Sequence, residues 1–416
     1  MKLWNSEILT RLMLIAPVTF TLQSCCCHVR ETIDEEEHEK QPSIMMAIAS
    51  AGTKAIIDGS DGNARLANMV GQCFTGNPAS LKQNAGFGVY SYKSIADKST
   101  ILFDNEQVHP DPELYNENSP ASTPWTYSPT RFWDMTANYQ FIAYWPYLPN
   151  ETGVNPYVSV PNPANPNDVT ESEKVLTIHN IPNWQPANTG DNPDDYMIAT
   201  SNGSYQSKYA STNGMVHFSF GHLLSQLVLQ GYYVGIEEND VTIKSIKLNG
   251  VRIPVSNGKS SYIKPFEEQD APSFDISKAN NVEHTLYTPE SPSTGMVLSQ
   301  DTYYDTETGK NKNDGDNPIT QPICRWLVVP STGWGDISLD IQYSVEGAST
   351  FRSITSGISF DSNDGTNERP GEMLSGKTYI LTLKFDSSGG GIDVKTVWVN
   401  GWVQAPNPIN HTVYNW

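Results

Sequence analysis

Strict alternation of apolar and polar side chains is the feature that most restricts how this chain can fold. In the run Ile337–Val345, the residues Leu339, Ile341, Tyr343 and Val345 alternate with serine, aspartate and glutamine. Successive side chains of an extended strand point to opposite faces of a sheet. This period of about two therefore predicts a strand with one face on a core and the other in water. No long run of the chain shows the helical period of about 3.6.

Short runs rich in β-branched or aromatic residues recur along the chain between clusters of Asn, Asp, Gly and Pro. They lie at 44–49, 87–92, 138–147, 175–178, 196–199, 216–220, 226–230, 241–248, 324–329, 379–385 and 394–399. The 28 prolines and 30 glycines are spread widely and break the chain between these runs. This spacing favours an all-β protein of two tandem β-sandwiches over one barrel.

The polar stretch Ser201–Gly214 separates the two groups of runs and is the expected domain boundary. We expect an N-terminal β-sandwich at 43–208 and a C-terminal β-sandwich at 209–416. A signal peptide at 1–24 and a flexible acidic tether at 25–42 are expected to precede them.

The N-terminus has the pattern of a bacterial lipoprotein signal. Basic residues flank the apolar stretch Leu12–Leu22, which is too short to span a bilayer as a mature helix. The stretch leads to Gln23, Ser24 and Cys25, so that a small residue stands directly before a cysteine. We therefore expect lipidation of Cys25 and an anchor in the outer membrane. An ordinary secretory signal that happens to be followed by cysteines is the alternative.

The tether and the overall charge restrict the partners. Residues 28–42 are almost without apolar side chains, so they cannot bury enough surface to offset the entropy of ordering them. The acidic run Asp34–Glu37 fits either a solvated linker or a signal for surface export. The formal net charge of −20, without a basic stripe, excludes nucleic acid as a partner.

The sequence indicates no cofactor, metal or catalytic site. Cys73 and Cys324 are the only cysteines beyond residue 27, and they are expected to be small buried thiols or at most one disulfide. His217 and His222 are five residues apart on one strand-like run, which places them on opposite faces. We expect His222 to bond to backbone at a strand start. Serine-hydrolase, zinc-protease and nucleotide-loop motifs are missing, so we do not expect an enzyme.

Six segments together resemble the Mfa-like fimbrillins, which are subunits and accessory proteins of the type V pili of Bacteroidales. The resemblance spreads over nearly the whole chain, and its specificity comes from the order and spacing of the segments. They are Thr53-Lys54-Ala55, Phe87–Tyr92, Trp125–Trp133, Tyr139–Pro146, Asp195–Ala199 and Val216–Leu229. The resemblance implies transthyretin-like β-sandwich domains and a pilus subunit.

Strand exchange is the assembly mechanism that this resemblance implies. In the family, a trypsin-like protease removes the first strand of a surface lipoprotein, and the open groove then accepts a strand from a neighbouring subunit. This is β-augmentation, in which main-chain hydrogen bonds and alternating apolar anchors replace those of the lost strand. Here the exchangeable first strand would be Ile44–Ala49, with Ile44, Met46 and Ile48 as its anchors.

The resemblance also suggests where the chain is cut and which segment it donates. Cleavage after Lys54 matches the family position best, although the family usually has arginine there. Arg65, in the expected loop Asp58–Asn68, is the second candidate. An unprocessed subunit would act as an anchor or a cap, so stalk, tip and accessory roles stay open. The expected donor is the C-terminal segment with its apolar residues Val413, Tyr414 and Trp416.

The expected partners are other pilus subunits, the outer membrane and a ligand on a host or bacterial surface. A surface glycan-binding lipoprotein of a polysaccharide-uptake system is the competing function, because it would share the signal, the tether and the β-domains. Such a protein needs two or three coplanar Trp or Tyr side chains in solvent. The aromatic block, residues 125–147, is expected to form core instead, because its aromatics fall on strand-like runs.

Overall fold

The structure, a computed structural model, describes residues 41–401 apart from a set of gaps. The gaps are 50–61, 76–79, 154–155, 189–193, 235–239, 255–257, 267–272, 275–278, 290–294, 299–303, 306–309, 312, 315–316, 319–320, 331–336, 346–351, 359–372 and 387–390.

Strands dominate the first half of the described residues. They are β1 (Met45–Ile48), β2 (Phe74–Thr75), β3 (Ser80–Leu81), β4 (Phe87–Ile95), β5 (Lys98–Pro110), β6 (Trp125–Thr126), β7 (Asn138–Trp145), β8 (Tyr157–Ser159), β9 (Val175–Pro182), β10 (Trp184–Pro186), β11 (Met197–Ser204), β12 (Met215–Phe218), β13 (Gly221–His222) and β14 (Ser225–Val234). The helices described are α1 (Gly62–Gln72), α2 (Tyr205–Thr212) and the 3-10 turns Pro120–Ser122 and Glu171–Glu173.

The second half continues the same pattern. Its strands are β15 (Val241–Pro254), β16 (Lys259–Pro265), β17 (Ser273–Phe274), β18 (Ala279–Tyr287), β19 (Met296–Leu298), β20 (Tyr304–Asp305), β21 (Lys310–Asn311), β22 (Asn313–Asp314), β23 (Asn317–Pro318), β24 (Gln321–Val328), β25 (Ile337–Val345), β26 (Arg352–Ile358), β27 (Lys377–Asp386) and β28 (Gly391–Gly401). On β25 the alternating Leu339, Ile341 and Tyr343 are all buried. The expected all-β class is confirmed.

The central sheet, with strand order β13-β11-β7-β4-β5-β6, carries a core on each face. On β7, Phe141 and Ala143 belong to one buried cluster, whereas Ile142 and Tyr144 belong to another. Neighbouring residues of a strand face opposite sides, so the strand supplies both clusters. The first core also takes side chains from β1, β12 and α1, and the second takes side chains from the sheet β17-β16-β9-β8.

A third core lies between the sheets β10-β24-β14-β27-β28 and β18-β15-β25-β26. Leu229 and Leu381 come from the first of these sheets, and Ile246 and Ile341 from the second. Two sheets packed face to face in this way form a β-sandwich.

Several strand pairs join residues on the two sides of the expected boundary. β1 pairs with β12, β9 with β16 and β10 with β24. Ser201–Gly214, the expected boundary, contains the end of β11 and all of α2. Ser204 caps this helix by accepting a bond from the Ser207 N–H, and Asn213 ends it in the left-handed conformation at φ 54°. The division into 43–208 and 209–416 stays a prediction.

The two body cysteines lie in different cores as free, buried thiols. Cys73 belongs to the first core and Cys324 to the third. Burial raises the pKa of each thiol to about 12, because the buried site disfavours the charged thiolate.

Neither helix of the described ranges has the length and apolar content to cross a bilayer.

Candidate functional site: the seat of the first strand

The first strand inserts alternate side chains into the first core. Ile44, Met46 and Ile48 are only 1 %, 4 % and 9 % exposed, whereas Met45 between them is 41 % exposed. This is the period of two that the sequence predicted for an extended segment with one buried face. Residues 44–48 therefore complete the first core from its N-terminal end.

β1 lies parallel to β12, with Met46 opposite Val216 and Ile48 opposite Phe218. The backbone N–H of Ala49 continues this pairing by donating to the carbonyl of Phe218 at 2.8 Å. Val216 and Phe218 are fully buried in the same core as the anchors of β1. One edge of the first strand is thus hydrogen-bonded to a strand about 170 residues further along the chain.

The other edge of the first strand is bonded to residues 131–133. The Ile44 N–H donates to the Arg131 carbonyl at 2.8 Å, and the Trp133 N–H donates to the Pro42 carbonyl at 2.9 Å. Ser43 and Phe132 form an antiparallel bridge between these bonds. We call β12, residues 131–133 and Tyr127 the seat of the first strand.

Tyr127 adds a side-chain bond to this seat. Its hydroxyl donates to the Ile44 carbonyl at 2.6 Å. Burial raises the pKa of the Tyr127 phenol to about 12. The phenol therefore stays protonated, and able to donate, at any pH at which the protein is expected to work.

The Trp133 side chain packs in the core beneath the first strand. Its side chain is 0 % exposed, and its Nε1 donates to the Gly214 carbonyl at 3.1 Å, just before β12 begins. Its ring packs edge-on against Tyr139 with centroids 4.7 Å apart. A buried indole with its N–H bonded is a rigid packing element, so Trp133 holds both sides of the seat in register.

The aromatic block forms core, as expected. Trp133, Tyr139, Phe141, Tyr144 and Trp145 are buried, and Trp125 and Tyr127 pack against the first core while partly exposed. Phe132 is the exception, because it is 54 % exposed. The neighbouring Trp133 side chain points into the core. Successive side chains of an extended segment point to opposite faces, so the Phe132 side chain points outward.

Several predicted site residues lie outside the described residues. They are Cys25, Lys54, Val413, Tyr414 and Trp416. Arg65 is described, but it lies on α1 rather than in the expected loop Asp58–Asn68. The missed signal is the spacing of Leu66, Met69, Val70 and Cys73, which puts apolar side chains on one face of a helix.

The histidine prediction did not include one contact. The His222 Nδ1 lies 2.7 Å from the Asp195 Oδ2. The expected bond of His222 to backbone stays a prediction. The Asp195 carboxylate is 0 % exposed and would otherwise be a buried, uncompensated charge. His217 is exposed on β12, where partial burial and the charge of Lys208 lower its pKa. Within the described ranges, His, Cys, Asp and Glu side chains form no group suited to a metal.

Solved structures of three bacterial proteins are similar to this chain. A fimbrial protein from Bacteroides vulgatus shares 17 % identity over 87 % of this chain and 99 % of its own, with a TM-score of 0.44. A proposed cell adhesion protein from Parabacteroides distasonis shares 8 % identity over 88 % and 98 %, with a TM-score of 0.40. Another from Bacteroides ovatus shares 11 % over 79 % and 92 %, with a TM-score of 0.36.

The family assignment comes from a sequence match. No curated protein matches the chain. The family described as fimbrillin-like matches residues 75–402, which is more than half of the sequence and includes all the strands from β4 to β28. The chain therefore belongs to the fimbrillin-like family.

Proposed function

We propose that this fimbrillin-like chain is a surface pilus subunit that assembles when a protease releases β1 and a neighbouring subunit's strand takes its place. The observation that carries the proposal is the seat. Close to the N-terminal end of the described chain, β1 and the residue before it supply three buried anchors to a core built otherwise from distant segments. These anchors are Ile44, Met46 and Ile48. Only non-covalent contacts need to be exchanged for a foreign strand to fill the same place.

The seat sets the geometry of the incoming strand. A strand that reproduces the contacts of β1 would run parallel to β12 and carry apolar side chains at alternate positions matching Ile44, Met46 and Ile48. It must also offer a free N–H where Ile44 donates to Arg131, so proline is excluded at that position. The C-terminal segment with Val413, Tyr414 and Trp416 is the proposed donor. As an extended strand, it would present Tyr414 and Trp416 on one face, where they can fill two of the three positions, and Val413 on the other.

Lys54 is the preferred cleavage site in this proposal, because Arg65 lies within a hydrogen-bonded helix. Proteases cut extended, accessible backbone, so cleavage at Arg65 would first require α1 to unfold. A Lys54→Gln chain treated with a trypsin-like protease should keep β1, whereas Arg65→Gln should lose it as the unmodified chain does. Loss of β1 from Lys54→Gln but not from Arg65→Gln would reverse the assignment.

A reversible disulfide between β1 and β12 tests the proposed strand exchange itself. Ala47 and His217 are paired on the outer face of β1 and β12, so the double variant Ala47→Cys/His217→Cys places two thiols side by side. After protease treatment, the unmodified chain and both single variants should form ladders on a denaturing gel. The oxidised double variant should stay monomeric until a reductant is added. A monomeric unmodified chain that retains its first strand would remove the exchange mechanism.

The lipid anchor and surface location are tested separately. Cys25→Ser should release the protein from the outer-membrane fraction into the medium or periplasm, and labelled palmitate should no longer enter it. An unchanged distribution of Cys25→Ser would favour an ordinary secretory signal. Adhesion to host or bacterial cells is the further proposed role of the assembled pilus.

Glycan binding is the weaker candidate. It requires coplanar exposed aromatic side chains, but the aromatic block is mostly buried. Trp184 stacks face to face on His284 with centroids 4.0 Å apart, so one face of its ring is not available to a sugar. Retardation of the protein in gels containing β-glucans or mannans would reverse this preference.

A further inference from the structure

A half-buried lysine without an acidic partner lies where α2 covers the edge of the first core. The Lys208 Nζ on α2 donates to the Ser201 Oγ on β11 at 2.6 Å, and Ser201 is only 8 % exposed. Burial lowers the pKa of the Lys208 ammonium, because its charged form loses water. Among the described residues, no carboxylate forms an ion pair with it. Charges removed from water are normally paired, so this ammonium favours an anion from outside.

The elements around this lysine carry no acidic side chain. No aspartate or glutamate occurs between Asp195 and Glu237, the stretch that contains β11, α2 and β12. β1, which pairs with β12, has no ionisable side chain either. Asp134 comes close to α2 through the next residue, Met135, but it is paired with Lys93 at 3.5 Å. Salt screens charges beyond about 10 Å, so local charge rather than the net charge of −20 governs binding here.

His217 on β12 lies within electrostatic range of the same lysine. The Lys208 carbonyl accepts from the Gly214 N–H at 3.2 Å, which ties α2 to the start of β12. The His217 side chain is exposed, and partial burial together with the charge of Lys208 lowers its pKa. An anion bound to Lys208 would offset that charge, so the imidazole would take up a proton more readily. The pKa of His217 therefore reports whether an anion is bound.

β12 also offers a main-chain donor on the side of α2. The Phe218 carbonyl accepts from the Ala49 N–H, so the main-chain groups of Phe218 point to β1. Those of the neighbouring His217 point to the opposite edge, because they alternate along a strand. This edge faces α2, since the Thr212 hydroxyl donates to the Met215 carbonyl there. Within the described ranges, the backbone N–H of His217 has no acceptor, so it can donate to an anion at this edge.

Gly203 leaves the space through which the lysine side chain reaches β11. A Cβ on Gly203 would lie 3.6 Å from the Lys208 Cε and 2.5 Å from the Ser207 Oγ, and its φ of 138° is one that side chains rarely adopt. The Ser201 Oγ accepts from Lys208, so the hydroxyl hydrogen is left to donate to another acceptor. An ammonium, a hydroxyl and a backbone N–H are thus provided by three neighbouring elements.

We infer that Lys208, Ser201 and His217 form a binding site for a carboxylate group of an external ligand, and we call them the rim site. The one permanent positive charge of the site matches the single negative charge of a carboxylate, whose two oxygens can accept from several donors at once. Acidic sugars and acidic peptide side chains present the same group. The rim site does not depend on strand exchange, because none of its residues lies on β1.

The test follows the NMR signal of the His217 ring in the unprocessed chain at constant ionic strength, with acetate as the probe and uncharged acetamide as its control. The signal is identified by its loss in His217→Gln. Acetate should raise the pKa of His217, and acetamide should not. In Lys208→Gln the Kd for acetate should increase about tenfold or more, as expected for loss of a hydrogen bond from a charged group. Lys98→Gln, which removes an exposed lysine on β5, should leave this Kd unchanged.

Glucuronate and the blocked amino acid N-acetyl-aspartate amide then distinguish the sources of the carboxylate. Tighter binding of glucuronate than of acetate would assign acidic sugars as ligands, and tighter binding of the blocked aspartate would assign acidic peptides. Both results support the rim site, because both probes present the same group to it.

Stability separates a binding role of Lys208 from a purely structural one. Lys208→Gln should keep or raise the urea midpoint, since it removes a half-buried cation that has no ion-pair partner among the described residues. A lower midpoint of Lys208→Gln, with no response of the unmodified chain to acetate, would overturn the inference and leave the bond to Ser201 as a structural contact. The same acetate response in Lys208→Gln as in the unmodified chain would also overturn it.

Discussion

Met46 and Met45 offer a direct measure of how much the first strand contributes to the folded state. They are neighbours of the same residue type on β1, but Met46 is 4 % exposed and Met45 is 41 % exposed. Met46 belongs to the first core together with Val216 and Trp133. Truncation to alanine at the two positions therefore changes the same atoms in a buried and in an exposed setting.

The expected magnitude follows from the atoms that are lost. Alanine removes Cγ, Sδ and Cε of methionine, which corresponds to about 2 kcal/mol of transfer free energy when these atoms are buried. The cavity left between β12 and the central sheet adds to this, so Met46→Ala should lower the free energy of unfolding by about 2–4 kcal/mol. Met45→Ala should change it by less than about 0.5 kcal/mol.

Urea unfolding followed by tryptophan fluorescence provides the assay. The midpoint of Met46→Ala should move to lower urea while its slope stays that of the unmodified chain, which would show a change in stability rather than in the unfolded ensemble. Equal midpoints for the two variants would refute the placement of β1 in the first core. If only Met45→Ala lowered the urea midpoint, the strand would be shifted by one residue, with Met45 rather than Met46 in the core.

Three further substitutions probe other parts of the fold. His222→Gln should lower the free energy of unfolding by about 3–5 kcal/mol, because it removes the partner of the buried Asp195 carboxylate. Gly88→Ala should lower it by about 1–3 kcal/mol, since a Cβ there would overlap the buried Tyr144 ring. Burial lowers the pKa of His284 from 6.5 to about 4, so the unfolded chain binds a proton that the folded chain does not. The free energy of unfolding should therefore decrease as pH drops from about 6.5 towards 4. The urea midpoint of His284→Phe should decrease less over this pH range than that of the unmodified chain.

Matched variants control the first two of these substitutions. His217→Gln replaces an exposed histidine on β12 and should leave the urea midpoint unchanged. Gly71→Ala places a Cβ in open space on α1 and should raise the free energy of unfolding by about 0.5–1 kcal/mol. An unchanged urea midpoint in His222→Gln or Gly88→Ala would contradict the contact described for that residue. For His284→Phe, the contradicting result is a urea midpoint that depends on pH as in the unmodified chain.

Some features of the candidate site can be predicted from neighbouring residues in the sequence, and others cannot. The apolar run Ile44–Ala49 is visible in the sequence and predicted a strand. All of its residues are apolar, so only the structure shows that Ile44, Met46 and Ile48 are buried while Met45 is exposed. Tyr127 was not predicted to bond to Ile44, because these residues are 83 positions apart and no local pattern links them. Arg65 was misplaced for the opposite reason, since a local helical spacing was present but was shorter than the runs that were considered.

Local chemistry by itself determined that this chain is built of strands and, where apolar and polar residues alternate as on β25, which side chains face a core. Alternation with a period of two needs only the geometry of an extended backbone, so it can be recognised from neighbouring residues alone. The tertiary structure alone decided that β1 lies parallel to β12, and that strands on both sides of residue 208 share sheets. These pairings depend on where distant segments meet, and the free energy that selects them comes from closing the cores to which the paired strands contribute.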